Sequence, residues 1–164
     1  FFIKILHQTI DKAYIINKGK SYYHHIFLKG ETIMIFYTNE RNFSKNQIYK
    51  LFKSADWESA DYPEKLFNAV SHSETVISAW DDEKFIGIMT AVSDGDMNVF
   101  FPYLLIDKAY RGQGVGRTIV SIMLRRYSSF YRKVLVCDIE KTGFYEKNGF
   151  VCEVNQRPMM KIDK

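Results

Sequence analysis

The spacing of apolar positions changes along this chain, and each change marks an element. From Ser44 the pattern is helical: Ser44 and Gln47 form a capping box, and Ile48, Leu51, Phe52 and Ala55 fall on one face. Pro63 and Glu64 suit the first turn of a second helix, with Leu66, Phe67 and Val70 inward. Thr75 to Trp80, rich in β-branched residues, predicts a strand; Asp81 to Lys84 turns it, and Phe85 to Val92 returns. Asp94-Gly95 predicts a hairpin turn into a further strand, Asn98 to Ile106. These three strands form an antiparallel meander. Val115, Ile119, Ile122 and Met123 then mark a helix running to about Tyr127. It crosses over to Val134–Asp138, read as a buried parallel strand. Thr142 to Lys147 reads as a short helix stopped by Gly149, and Val151–Val154 with Met159–Ile162 as a closing strand pair.

Residues 1–33 show no clear amphipathic period, and Met34 to Asn39 reads as a first strand. The chain starts with Phe1, and Lys29-Gly30-Glu31 can be encoded by a sequence containing a bacterial ribosome-binding site just ahead of the Met34 codon. The expected organisation is therefore an N-terminal extension at 1–33, a translated leader or an added segment, followed by one domain at 34–164.

Composition narrows the class. With 164 residues, 46% of them hydrophobic, the chain is long enough to bury a core. A formal charge of +4 is too mild and too dispersed to call for nucleic acid. Its use is local: Arg111, Arg117, Arg125, Arg126, Arg132 and Lys133 cluster near one stretch. Two cysteines, Cys137 and Cys152, make neither a disulfide framework nor a metal spacing, so a reducing cytoplasm is the default setting. His24 and His25 lack acidic or cysteine neighbours, and no metal set is expected. No apolar run reaches transmembrane length, and no signal-peptide pattern is read.

That stretch is Arg111-Gly112-Gln113-Gly114-Val115-Gly116-Arg117, between an apolar run ending at Ile106 and the long helix. The first amides of a helix have no intrahelical acceptor, and the macrodipole adds about half a positive charge there. Glycines let the backbone come close to an anion. The segment therefore predicts a phosphate cradle. It is not a Walker A loop, because three residues, not four, separate Gly112 from Gly116 and Arg117 stands in the lysine position. Nor does G-x-G-x-G satisfy the dinucleotide fingerprint.

Arg111, Gly114 and Gly116 fill the pattern (Arg/Gln)-x-x-Gly-x-(Gly/Ala), which closely resembles the acyl-CoA pyrophosphate loop of the GNAT superfamily of N-acetyltransferases. A second block, Phe144-Tyr145-Glu146-Lys147-Asn148-Gly149-Phe150, resembles that family's Tyr-x-x-x-Gly-Phe element. The resemblance runs from about Asn39 to the C-terminus, and the central block is broadly similar to small bacterial and plastid amine acetyltransferases. It implies a mixed α+β (α/β) fold with a central mixed sheet of about six to seven strands and about four helices. The first half of that sheet is antiparallel, and a parallel pair, 98–106 and 134–138, is splayed around the acyl-CoA. Pro102 cannot donate a ladder hydrogen bond and is expected to mark the bulge where the two part.

The resemblance also implies the chemistry. Acetyl-CoA is the expected acetyl donor. Backbone groups of Leu104, Leu105 and Ile106 pair with pantetheine, one of them polarising the thioester carbonyl. Arg111, Gly112, Gln113, Gly114, Val115, Gly116 and Arg117 hold pyrophosphate, with Asp138 and Phe144 lining the cofactor. Tyr145 is the general acid for the CoA thiolate, although a phenol near 10 against a thiol near 8.5 makes full transfer uphill by about 2 kcal/mol. Tyr103, Glu58, Asp94 and Asp96 are the base candidates by position, and Tyr103 can order a water. Trp57 and Glu58 wall the acceptor site; Trp57 can equally seal the junction between helices. Asp138 stands where relatives often carry Asn, and ionised Asp only accepts hydrogen bonds. The expected activity is direct acetyl transfer to a primary amine, of a small molecule or a lysine side chain. The alternative is a catalytically silent acyl-CoA-binding regulatory module. The expected partner is an amine acceptor, small molecule or peptide, without nucleic acid or membrane; a homodimer stays open.

Overall fold

The computed structural model describes residues 16–18 and 21–161. Its strands are β1 (Ile16–Lys18), β2 (Ser21–Leu28), β3 (Glu31–Thr38), β4 (Thr75–Asp81), β5 (Lys84–Ser93), β6 (Asn98–Phe100), β7 (Leu104–Ile106) and β8 (Arg132–Val134). Its helices are α1 (Lys45–Ser54), α2 (Pro63–His72), α3 (Val115–Arg126) and α4 (Thr142–Glu146). The sheet runs β1-β2-β3-β4-β5-β6-β8, antiparallel up to the parallel β6–β8 pair, and β7 also pairs with β5. This is the mixed architecture expected, with the predicted 98–106 strand present as two pieces.

Local chemistry explains most of these elements. Ser44 Oγ accepts from the Gln47 amide at 3.2 Å, while Gln47 Oε1 accepts from the Ser44 amide at 2.8 Å, which closes the capping box of α1. Pro63 opens α2, where a missing N–H costs nothing. In the turn after β5, the Asp94 carboxylate accepts from the amides of Asp96, Met97 and Asn98.

Helices cover both faces of the sheet. On one, Ile48, Leu51 and Phe52 of α1 and Leu66 and Val70 of α2 pack on Val76, Trp80, Phe85, Ile88 and Leu105. On the other, Val115, Ile119, Val120, Ile122 and Met123 of α3 pack on Ile35, Tyr37, Ile77, Ile86 and Met89.

Residues 21–33, set apart in the sequence reading, supply β2, the turn and the start of β3. Lys29 and Gly30 both have positive φ (52° and 89°), the geometry of a tight two-residue hairpin turn. β2 pairs with β3 over its whole length, and His24 and Ile26 are buried.

Two expectations past α3 need correction. The buried strand expected at Val134–Asp138 is the three-residue β8, and it lies at the sheet edge, with Val134 and Val136 exposed. An apolar run at an edge has the same sequence signature as one inside a sheet. The closing strand pair is absent among the described residues: 151–161 hold no strand, and Val151, Val154 and Met159 face solvent. Extended chain is stable only beside a partner edge, and β8 offers a very short one. Ile162 lies outside the described residues.

Candidate active site

The glycine-rich stretch forms a loop that runs directly into α3. Gly112 and Gly114 have φ of 76° and 83°, left-handed conformations natural to glycine, and Gly114 caps α3. Thr118 N–H donates to the Gly114 carbonyl at 2.9 Å, so the earlier amides of the turn project from the helix end. A Cβ on Gly116 would meet Phe144 Cζ at 3.4 Å and Ile106 Cγ1 at 3.5 Å. The loop, β7 and α4 therefore converge at Gly116.

The approach to the loop is anchored. Tyr110 is buried, and its hydroxyl donates to Asp81 Oδ2 at 2.5 Å. Burial, followed by the Asp81 carboxylate, pushes that phenol well above its ordinary value, so it stays a donor. The Arg111 Nε–H donates to the Ile106 carbonyl at 3.0 Å. Gln113 is half-buried, and Arg117 and Arg111 are exposed beside the helix end.

Next to the loop the sheet opens. Phe101 N–H donates to the Val134 carbonyl at 2.9 Å, and β7 then pairs only with β5. Pro102 stands at this break, as the sequence predicts. Thr90 N–H bonds the Tyr103 carbonyl and Asp107 N–H bonds the Ile86 carbonyl, so in the antiparallel alternation Leu105 also points its backbone groups at β5. Leu104 and Ile106 are the residues that turn theirs toward the opening. The Leu105 side chain is buried on the α1–α2 side.

Two aromatic walls flank the opening. On the α4 side Tyr145 packs edge-on against Phe144 and Phe150, with centroids 5.1 and 5.8 Å away. Burial pushes its phenol up to about 12, with Cys137 and Asp138 adding to the shift. These two residues follow β8, so Tyr145 faces the segment across the opening from β7. Asp138 itself is exposed, and its carbonyl accepts from the Lys141 amide. On the other side Tyr103 packs edge-on against Phe52 at 5.1 Å and Trp57 at 5.6 Å. Burial raises the Tyr103 phenol as well. Trp57 packs on Phe52 at 5.9 Å and is still 39% exposed, so it seals the junction and presents a face outward. Glu58 is exposed beside it.

Asp94 is taken out of contention as a base. Hydrogen bonds from the Asn98 amide and side chain, then from Asp96 and Met97, hold its carboxyl far below the usual range. The turn that it caps lies at the paired end of β6, before the opening. Sequence reasoning missed His24 and the Asp81–Tyr110 link, both beneath the loop. The signal for His24 was present: Tyr22, His24 and Ile26 alternate with Tyr23, His25 and Phe27, and the first set faces the core. Among the described residues no group of three or more His, Cys, Asp or Glu side chains could hold a metal, and no helix is long and apolar enough to cross a membrane.

Comparison with known proteins gives this parted mixed sheet and its glycine-capped helix a likeness. Residues 72–152 match the family model described as an acetyltransferase (GNAT) domain, a span containing the loop, the opening and Tyr145. A GNAT-family acetyltransferase of Streptococcus pneumoniae superposes with a TM-score of 0.70 at 24% identity, covering 80% of this chain and 99% of that one. A Staphylococcus aureus protein described as a probable acetyltransferase gives 0.68 at 20% identity, over 80% and 100% of the two chains. Glucosamine-6-phosphate N-acetyltransferase of Arabidopsis thaliana gives 0.59 at 15% identity, over 82% and 100%. At these identities the solved structures show a shared fold. No curated protein matches the sequence. Residues 72–152 thus match a GNAT acetyltransferase domain, on a fold that the chain shares with GNAT-family acetyltransferases.

Proposed function

We propose that the chain transfers an acetyl group from acetyl-CoA to a primary amine, of a small molecule or a lysine side chain, by direct attack within a ternary complex. One observation carries this reading: the outward backbone groups of Leu104 and Ile106 line an opening with the loop at one end and Tyr145 across it. The fit to acetyl-CoA is local. Amides at the start of α3 suit a pyrophosphate, and the outer edge of β7 suits an extended amide-bearing arm. In this reading a Leu104 or Ile106 amide polarises the thioester carbonyl, and the pairing expected of Leu105 falls to its neighbours.

Tyr145 then works mainly as a hydrogen-bond donor to the leaving thiolate. Against a thiol near 8.5, a phenol held at about 12 makes complete proton transfer uphill by about 5 kcal/mol. Tyr103, neutral at working pH, orders a water or the amine and is no strong base. Trp57 and Glu58 are the acceptor-side residues, and an exposed carboxylate next to an aromatic face suits a cationic amine. The Arabidopsis relative, by its name, acetylates an amino sugar phosphate, which supports a small-molecule acceptor.

The test is acetyl-CoA turnover by free-thiol release across a panel of amines, with Tyr145→Phe alongside. Amine-dependent release should fall about a hundredfold in the variant while CoA binding holds. CoA binding without release on any amine would replace this reading with the silent binding module, and no CoA binding would overturn the cradle itself.

A further inference from the structure

We propose that His24 is a positioning residue for the phosphate loop, the piece of the sheet on which Gly114 and the first turn of α3 are set. The inference rests on the acyl-CoA reading above and adds a residue outside the matched family domain. His24 comes from β2, lies 94 positions before Thr118 in the chain and is 4% exposed. Its Nδ1 is 3.1 Å from the Tyr37 hydroxyl and 3.4 Å from Thr118 Oγ1. A Cβ on Gly114 would lie 3.2 Å from its Cε1 and 3.8 Å from its Nε2. One imidazole therefore touches both ends of the first turn of α3: the cap through its ring edge, and Thr118 through Nδ1.

The contact matters because of what it holds. Gly112 and Gly114 sit at positive φ, and glycine loses the most conformational freedom when it is fixed. A Cβ at Gly112 would meet nothing within 4 Å, so the brace beneath the loop is at Gly114. Tyr37 is fully buried in β3, so the ring is tied to the rigid part of the molecule. The amides of that turn are the ones that meet a phosphate, and their aim depends on where the cap sits. Burial lowers the imidazole's affinity for a proton, which keeps it the neutral partner of two hydroxyls. An apolar ring of similar size would leave both hydroxyls without that partner.

The test uses the whole chain and two ligands, CoA and pantetheine, which lacks the pyrophosphate. His24→Asn keeps a polar group near the place of Nδ1 and removes the ring atoms under Gly114. His24→Gln, the second variant, puts an amide near the place of Nε2 and gives up the Tyr37 bond. Each is first checked for a cooperative thermal transition, and the folded ones are titrated. The expected result is a dissociation constant for CoA raised about tenfold with that for pantetheine unchanged, the pattern of a misplaced anion site. A folded variant that binds CoA as the wild type does would overturn the inference. So would equal weakening of both ligands, which marks general damage. Wild-type protein that fails to bind CoA refutes the acyl-CoA reading instead.

Discussion

The two ends of the opening are built from different materials. The loop end is backbone: amides at a helix start, two glycines at positive φ, and bracing from residues that need not touch a ligand, Tyr110 on Asp81 and His24 under Gly114. The other end, which the proposed reading gives to the acceptor, is side-chain surface: Trp57 and Tyr103 packed on Phe52, and Glu58 in solvent. A backbone site needs one shape, and only certain residues allow it. A side-chain site can be re-lined one residue at a time, so on the proposed reading it is the half that adapts to the acceptor. The donor half is therefore expected to fail when its supports move, and the acceptor half when its surface changes.

The largest effect should come from removing a support. A chain begun at Met34 would lack β2, and with it His24, Ile26 and the partner of the whole outer edge of β3. Uncovering Ile35 and Tyr37 as well should cost at least about 5 kcal/mol, comparable to the whole stability of many domains. Thermal melts and CoA titrations of the 34–164 chain should show a lowered or absent transition and no binding. If it melts and binds as the longer chain does, residues 1–33 are the dispensable extension that their sequence suggests, and the donor half stands without β2.

What could be read from the sequence follows the same division. The loop was legible because Gly112 and Gly114 declare their conformation locally, as do the capping box at Ser44 and the turn at Asp94-Gly95. Pro102 marked the parting of the strands because a missing N–H is a local fact too. The inward position of His24 was legible in the alternation of β2, but its role was not, since that depends on a glycine brought to it by the fold of the whole sheet. Val134 and Val136 misled for the same reason: a β-branched run does not say how many neighbours it has, and here it has few. Trp57 and Tyr103 were named for the other end, but not that they touch each other and share Phe52, which periodicity assigned only to the core.

A smaller effect should separate the halves. Trp57→Ala leaves Tyr103 packed on Phe52 and removes the outward aromatic face together with the indole's contacts to those two rings. Steady-state kinetics with the preferred amine should show its KM raised about tenfold, with the KM for acetyl-CoA within about twofold of wild type. Should both constants rise together, the halves are not independent, and Trp57 serves the fold rather than the acceptor.

The smallest effect concerns Asp94, whose position in sequence makes it a candidate base and whose environment argues otherwise. A base must take a proton near neutral pH, and this carboxyl is held far below the ordinary value of 3.8 by the Asn98 amide and side chain and by the amides of Asp96 and Met97. Asp94→Asn should therefore change kcat by less than about threefold, where loss of a true base costs a hundredfold or more. Its signature is in stability. Because the folded pKa is depressed, the unfolded chain takes up the proton first. The contribution is present above 3.8 and is lost as pH falls from there toward the folded value. Melting temperatures taken from pH 6 down to pH 2 should fall less steeply in the variant than in the wild type. A hundredfold drop in kcat with an unchanged pH–stability curve would instead place the base in this turn, and the acceptor end would then reach well past Tyr103 along β6.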